Sequence, residues 1–137
     1  MALECVLVVE YMPPVSFTVS NAAAIPKGSV LKLSDPMTVA ITTGDTDPVA
    51  GIAAEEKIAN DGKTTIAVYT RGRFKGFAGA AGVTAGMSII TDTATGAANE
   101  LVVADVNSEA IVGMALETAT DTESFMFELM PMGLQLA

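Results

Sequence analysis

Pro48-Val-Ala-Gly51-Ile-Ala-Ala-Glu-Glu-Lys57-Ile-Ala-Asn60-Asp-Gly62-Lys-Thr64-Thr-Ile-Ala-Val-Tyr69-Thr70 is the stretch on which the fold turns. It reads as two strands around a polar connection. Val49 to Ala53 is a short apolar run. Thr64 to Thr70 is built from Thr, Ile, Val and Tyr, residues that fit a pleated, half-buried surface. Between them, Glu55 to Asn60 reads as one helical turn or a loop. Asn60-Asp61-Gly62 is a turn, because Asn and Asp bond their own backbone and Gly accepts a positive φ.

The same texture extends in both directions. Cys5 to Val9, Ser16 to Ser20, Val30 to Leu33 and Thr38 to Thr42 read as strands on the N-terminal side. Pro13-Pro14, Asp35-Pro36 and Gly44 to Pro48 punctuate them. On the C-terminal side, Met87 to Thr91, Glu100 to Ala104, Ala110 to Leu116 and Ser124 to Leu129 read as strands, with Ala94 to Asn99 as a loop. Many short strands with Gly and Pro turns predict an all-β fold, a small β-barrel or β-clip (β-tulip-like) domain.

The two halves share an order of features. Ile25-Pro-Lys-Gly28-Ser-Val-Leu matches Val83-Thr-Ala-Gly86-Met-Ser-Ile at an offset of 58. Val49-Ala-Gly51-Ile-Ala matches Ile111-Val-Gly113-Met-Ala at 62, and Ile66 to Val68 matches Phe125 to Phe127 at 59. An internal duplication is therefore expected, with units over 23–76 and 80–133. Residues 1–20 are expected to form an N-terminal arm, and residues 21–137 the β domain. Gly28 and Gly86 fit tight turns. Gly51 and Gly113, inside strands, predict bulges or close backbone approach.

Composition narrows the function. Half of the 137 residues are hydrophobic and 17% are charged, so disorder over most of the chain is not expected. A chain this long buries about two-thirds of its unfolded surface, enough for a core without metal or disulfide staples. Histidine and tryptophan are absent and Cys5 is the sole cysteine. A histidine base, a Ser-His-Asp triad, a Cys-His pair and an intrachain disulfide are thereby excluded. Glu4 is the first charge and Cys5 to Val9 is short, which is not a secretory signal pattern. Gly76 to Thr91 is too Gly-rich for a membrane span. A soluble, reducing setting is expected.

Charge is unevenly placed. All seven basic residues lie between Lys27 and Lys75. Residues 1–76 hold seven basic and eight acidic side chains, whereas residues 77–137 hold eight acidic and none basic. A body this acidic repels phosphate backbones, so nucleic acid is not an expected partner.

Catalytic constellations are weak. Gly79 to Gly86 lacks the Lys-Ser/Thr pair of a phosphate loop. Asp45-x-Asp47 lacks the rest of a calcium loop and reads as a turn. Cys5 lies in an apolar run and reads as an inert small hydrophobe. No catalytic residue, metal, cofactor or enzymatic activity is expected. Arg71-Gly-Arg73-Phe74-Lys75 is expected to place three cations on one face of an extended segment and Phe74 on the other. That is either a solvated edge strand or a contact stripe for an acidic partner, such as the acidic half of a neighbouring subunit.

The run Pro48 to Ala53 followed by Thr64-Thr-Ile-Ala-Val-Tyr69-Thr-Arg-Gly72-Arg-Phe74 resembles the head decoration proteins of tailed bacteriophages, the phage lambda type among them. The turn at Ile25 to Leu31 is similar to the opening turn of that family's β-clip fold. The resemblance is best over residues 48–77. It implies a capsid cement protein that binds the outer surface of an expanded icosahedral head as a homotrimer at three-fold positions. Its partners would be the major capsid protein and itself, with no membrane, and it would be made in the host cytoplasm. It also implies a capsid-binding arm, here Cys5, Val6, Leu7, Val8, Val9 and Tyr11, with Arg71, Arg73, Phe74 and Lys75 as subunit or capsid contacts. The other readings are a small-ligand or carbohydrate-binding β module, or another virion part such as a tail or head-fibre adaptor.

Overall fold

A computed structural model describes residues 4–43, 47–91, 100–104 and 110–131. Their strands are β1 (Val6–Glu10), β2 (Val15–Val19), β3 (Val30–Asp35), β4 (Thr38–Ile41), β5 (Val49–Ala53), β6 (Thr65–Tyr69), β7 (Gly72–Ala78), β8 (Ser88–Thr91), β9 (Glu100–Val103), β10 (Gly113–Ala115) and β11 (Ser124–Leu129). No helix occurs among the described residues. The 55–60 connection is a turn and loop, tied across by the antiparallel bridge Ile25–Lys57.

The strands close into two five-stranded barrels. The first runs β2-β4-β3-β5-β6 and closes back on β2. The second runs β7-β11-β10-β8-β9 and closes through β9 on β7. The expected small all-β barrel is thus present twice, side by side in one chain.

The two barrels repeat one pattern. β2 runs parallel to β4 and antiparallel to β6. In the same way β7 runs parallel to β9 and antiparallel to β11. The first barrel is filled by Val19, Ile25, Leu31, Val39, Ala53, Ile66 and Val68. The same positions of the second barrel hold Ala78, Val83, Ile89, Leu101, Ala115, Phe125 and Phe127. The second is more aromatic inside. Its β7 accommodates this with Gly76, where a Cβ would sit 3.0 Å from the Phe127 ring.

Gly51 and Gly113 occupy matching places. A Cβ on Gly51 would lie 2.1 Å from the Tyr69 carbonyl oxygen, and one on Gly113 1.8 Å from that of Glu128. Close backbone approach is therefore the reason for both glycines. Other details repeat too. Glu55 accepts the backbone N–H of Ala67, and Glu117 accepts that of Met126.

The barrels share apolar contact. Val30, Val49 and Ile52 of the first belong to the core cluster that contains the interior of the second. Their neighbours Leu31 and Ala53 point into the first barrel. Val30 and Leu31 of β3 and most of β5 are buried on both faces there, which is why Val49 to Ala53 reads as a short apolar run instead of an alternating one.

Three expectations need correction. Residues 15–19 are not part of an arm. Their alternation fits them between β4 and β6 as a barrel strand. The units divide between Tyr69 and Gly72, not at 76–80, because β7 opens the second barrel. Nor is β7 an edge strand: it pairs with β11 on one side and with β1 and β9 on the other.

Candidate binding surface at the barrel junction

The N-terminal segment positions this surface. The Cys5 N–H donates to the Gly28 carbonyl at 3.1 Å, laying residues 4–5 over the 26–29 turn of the first barrel. Gly28 has φ +84°, and a Cβ there would sit 2.2 Å from Glu4 Cγ and 2.8 Å from the Cys5 oxygen. Any side chain at Gly28 would displace the segment. From there β1 crosses to the second barrel and pairs antiparallel with β7, Val6 opposite Lys75 and Glu10 opposite Gly72, with a bulge between Leu7 and Val9.

The six residues expected as a capsid-binding arm therefore divide. Cys5 is buried and Leu7 packs on the core. Val6, Val8, Val9 and Tyr11 are exposed. Burial, reinforced by the Glu4 charge, pushes the Cys5 thiol up to about 12, so it stays protonated and unreactive at neutral pH.

Tyr11 closes a clasp over the end of β1. Its hydroxyl donates to Glu128 Oε1 on β11. The same oxygen accepts Arg73 Nε from β7 at 2.9 Å. The Tyr11 hydrogen bond, with Arg73, holds the Glu128 carboxyl below its usual range against partial burial. Tyr11 is raised, first by that bond.

The expected three-cation stripe is only partly formed. Arg73 and Lys75 do share the face opposite Phe74, which is buried. Arg73, however, is spent on Glu128, and Arg71 sits in a bend before β7 with Nη1 donating to the Thr70 carbonyl. A different grouping emerges. Lys32, Lys57, Lys63 and Arg73 each pair with a carboxylate. Among the described residues, the cations without such a partner are Lys27, Arg71 and Lys75.

Of these, Lys27 borders a cleft. It has a volume of ≈160 Å³ and lies between β1 and the first barrel. Val6, Leu7, Ala53 and Phe74 give it an apolar lining, with Lys27, Glu4 and Tyr69 as its polar groups. Tyr69 meets Phe74 edge-on, ring centroids 5.7 Å apart, and Phe74 stacks on Phe127 at 6.1 Å. Tyr69 and Phe74 of the lining thus adjoin the aromatic interior of the second barrel. Sequence reading missed Lys27 and Tyr69 as partners of β1. Lys27 lies in the Pro26-Lys27-Gly28 turn, but nothing local shows that residues 4–5 settle on it.

Lys57 was also missed. It is buried, yet its ammonium donates to the carbonyls of Asn21 and Ile58 at 2.9 Å and to Asp61 Oδ1 at 2.8 Å. With its hydrogen bonds taken it is a staple between loops, not a nucleophile. Asp47 accepts the N–H and hydroxyl of Thr43, the turn role expected of it. Asp45 lies outside the described residues. Among the described residues no group of three or more His, Cys, Asp or Glu side chains is placed to hold a metal ion.

The fold defines a class: tandem five-stranded β-barrels in one chain. A solved structure with a similar fold is the N base of head fiber gp8.5 of bacteriophage phi29. The likeness has a TM-score of 0.56 at 17% sequence identity and covers 90% of this chain and 98% of that one. No protein-family model matches the chain, and no curated protein does.

Proposed function

We propose that this chain is a structural protein of a tailed-phage virion, bound to the outside of the head. The observation that carries the reading is the tandem-barrel likeness to a head fiber base over nearly the whole of both chains. The resemblance of residues 48–77 to head decoration proteins, read from the sequence, agrees with a place on the head, while the solved neighbour is a head fiber base and not a decoration protein. In this reading the protein sits as a homotrimer at three-fold positions of the expanded head, contacts the major capsid protein and stabilises the shell. It carries out no catalysis and takes no cofactor. Modest contacts suffice, because many copies act on one shell.

The same likeness favours a second reading as the base of a head fibre. The two differ in what the outer face carries: an appendage for a fibre base, none for a decoration protein. Cosedimentation tests the common part. Purified protein should bind saturably to expanded heads that lack it and not to immature heads. Equal binding to both, or to neither, contradicts the proposal. Fibres projecting from reconstituted heads in negative stain would select the second reading.

A further inference from the structure

We infer that β1 is an exchanged strand: in the assembled protein, the β1 of one copy lies on the β7 of the next. The inference rests on the homotrimer of the proposed function and names the element that joins its copies.

The acceptor surface is seen filled. β1 pairs with Gly72 to Lys75 of β7, the Cys5 N–H donates to Gly28, and the Tyr11 hydroxyl donates to Glu128. All of these partners lie on the far side of the connection to β2, from Gly28 onward. The same segment of a neighbouring copy makes every one of these contacts unchanged, so its fit needs no new complementarity.

The internal repeat shows that β1 is an addition to a closed barrel. Thr18 and Val19 pair with β4 as Phe77 and Ala78 pair with β9. In that alignment Gly72 to Lys75, which take β1, fall on Pro13 to Ser16. Among the described residues no strand pairs with Val15 to Phe17 on the β4 side, and the first barrel still closes. Pro13-Pro14 guard that edge, because proline donates no ladder hydrogen bond. β7 keeps its backbone donors at the matching positions and takes a strand there.

β1 is lightly held. Four of its five residues are exposed and a bulge interrupts its pairing. The ≈160 Å³ cleft lies beside it, and a strand facing a void forfeits contacts on that side. Few buried contacts mark a segment that opens locally. Its tether favours exchange as well. Tyr11 to Pro14 carry the chain from β1 on the second barrel to β2 in the first, with a bend at Tyr11 and Met12. Proline fixes φ, and a residue before proline prefers extended backbone, so Met12-Pro13-Pro14 favours an open connection. Short hinges that resist folding back invite exchange of the element they carry. Each copy gives one strand and takes one at a different surface. The contact is therefore heterologous and closes into a ring when its rotation allows.

Two single variants test this. Val6 and Lys75 face each other across the β1–β7 pair and both are exposed. Val6→Cys and Lys75→Cys, each in a Cys5→Ala chain, are refolded together from denaturant and treated with a short bismaleimide. Covalent dimers are expected in the mixture and not in either variant alone. No dimers in the mixture, or as many in one variant alone, overturn the inference. A second measurement leaves the native side chains in place. Inserting Gly-Ser-Gly-Ser between Met12 and Pro13 lets β1 fold back on its own β7, and should weaken self-association at least tenfold by light scattering. Unchanged association, or a native chain that stays monomeric at millimolar concentration, also overturns it. Head binding is scored separately. Heads that bind a chain whose β1 stays on its own β7 retain the proposed function and remove the exchange. Exchange-linked copies that bind no head do the reverse.

Discussion

Gly51 and Gly113 each face a carbonyl oxygen at a separation that leaves no room for a methyl group. Gly51→Ala and Gly113→Ala should each destabilise the fold by about 1–3 kcal/mol, the cost of forcing backbone apart in a packed interior. Urea midpoints measure it, and an unchanged midpoint would contradict the geometry. Both glycines were legible in the sequence, because a Gly inside an apolar run gives up side-chain packing and marks a bulge or a close backbone approach. Lys57 was not, since its burial depends on carbonyls of a loop 34 to 36 residues away as well as on its neighbours Ile58 and Asp61, and the loop signal of Glu55 to Asn60 hides it. Its partner Asp61 is held below the usual carboxylate range, first by the Lys57 hydrogen bond and then by the Lys63 N–H. A carboxyl lowered on folding contributes stability that is present above its unfolded pKa and is lost as pH falls through the folded one. Asp61→Asn should therefore shrink the loss of thermal stability between about pH 7 and about pH 3. Glu123 and Glu128, also lowered, would retain part of it. An acid dependence identical to that of the native protein would remove Asp61 from the account.

At the scale of elements, β1 changes meaning between sequence and structure. An apolar run ahead of Pro13-Pro14 looks like a separate strand, and so it reads as an arm. In the fold it covers the part of β7 that β9 leaves unpaired, and it sends Cys5 and Leu7 into the core. Nothing local reveals this, because its partner strand lies more than sixty residues away. Removing residues 4–12 should cost about 2–4 kcal/mol, the value of burying one or two apolar side chains, and should not leave stability unchanged as a loose arm would. The clasp gives a subtler readout. Tyr11→Phe leaves Glu128 with Arg73 alone, so the amides of β1 should exchange with deuterium faster while those of β11 are unaffected. Equal protection of β1 in both proteins would mean that the clasp holds nothing. The strand positions themselves were largely readable. Period two and turn chemistry are local, whereas which strands close a barrel is not.

The whole molecule is two barrels with a joint core, and this has a thermodynamic consequence. Val30, Val49 and Ile52 lie in the cluster with Phe74, Phe125 and Phe127, so unfolding one barrel exposes apolar surface of the other. A single calorimetric transition is expected. Ile52→Ala should lower that one transition, by about 2–5 kcal/mol, without splitting it. Two separate transitions would contradict a joint core. Charge was the other property of the whole chain visible in advance. The uneven −1 and −8 halves are a matter of counting. Which cations keep no carboxylate partner required the fold, since Arg73 finds Glu128 only across β7 and β11.

The central claim is that this tandem barrel is mounted on a phage head. Electron cryomicroscopy of expanded heads, incubated with the protein and compared with bare heads, tests it most directly. The account predicts added density at three-fold and quasi-three-fold positions into which three copies fit. Density elsewhere on the virion, or heads indistinguishable from the bare ones at saturating protein, would contradict it.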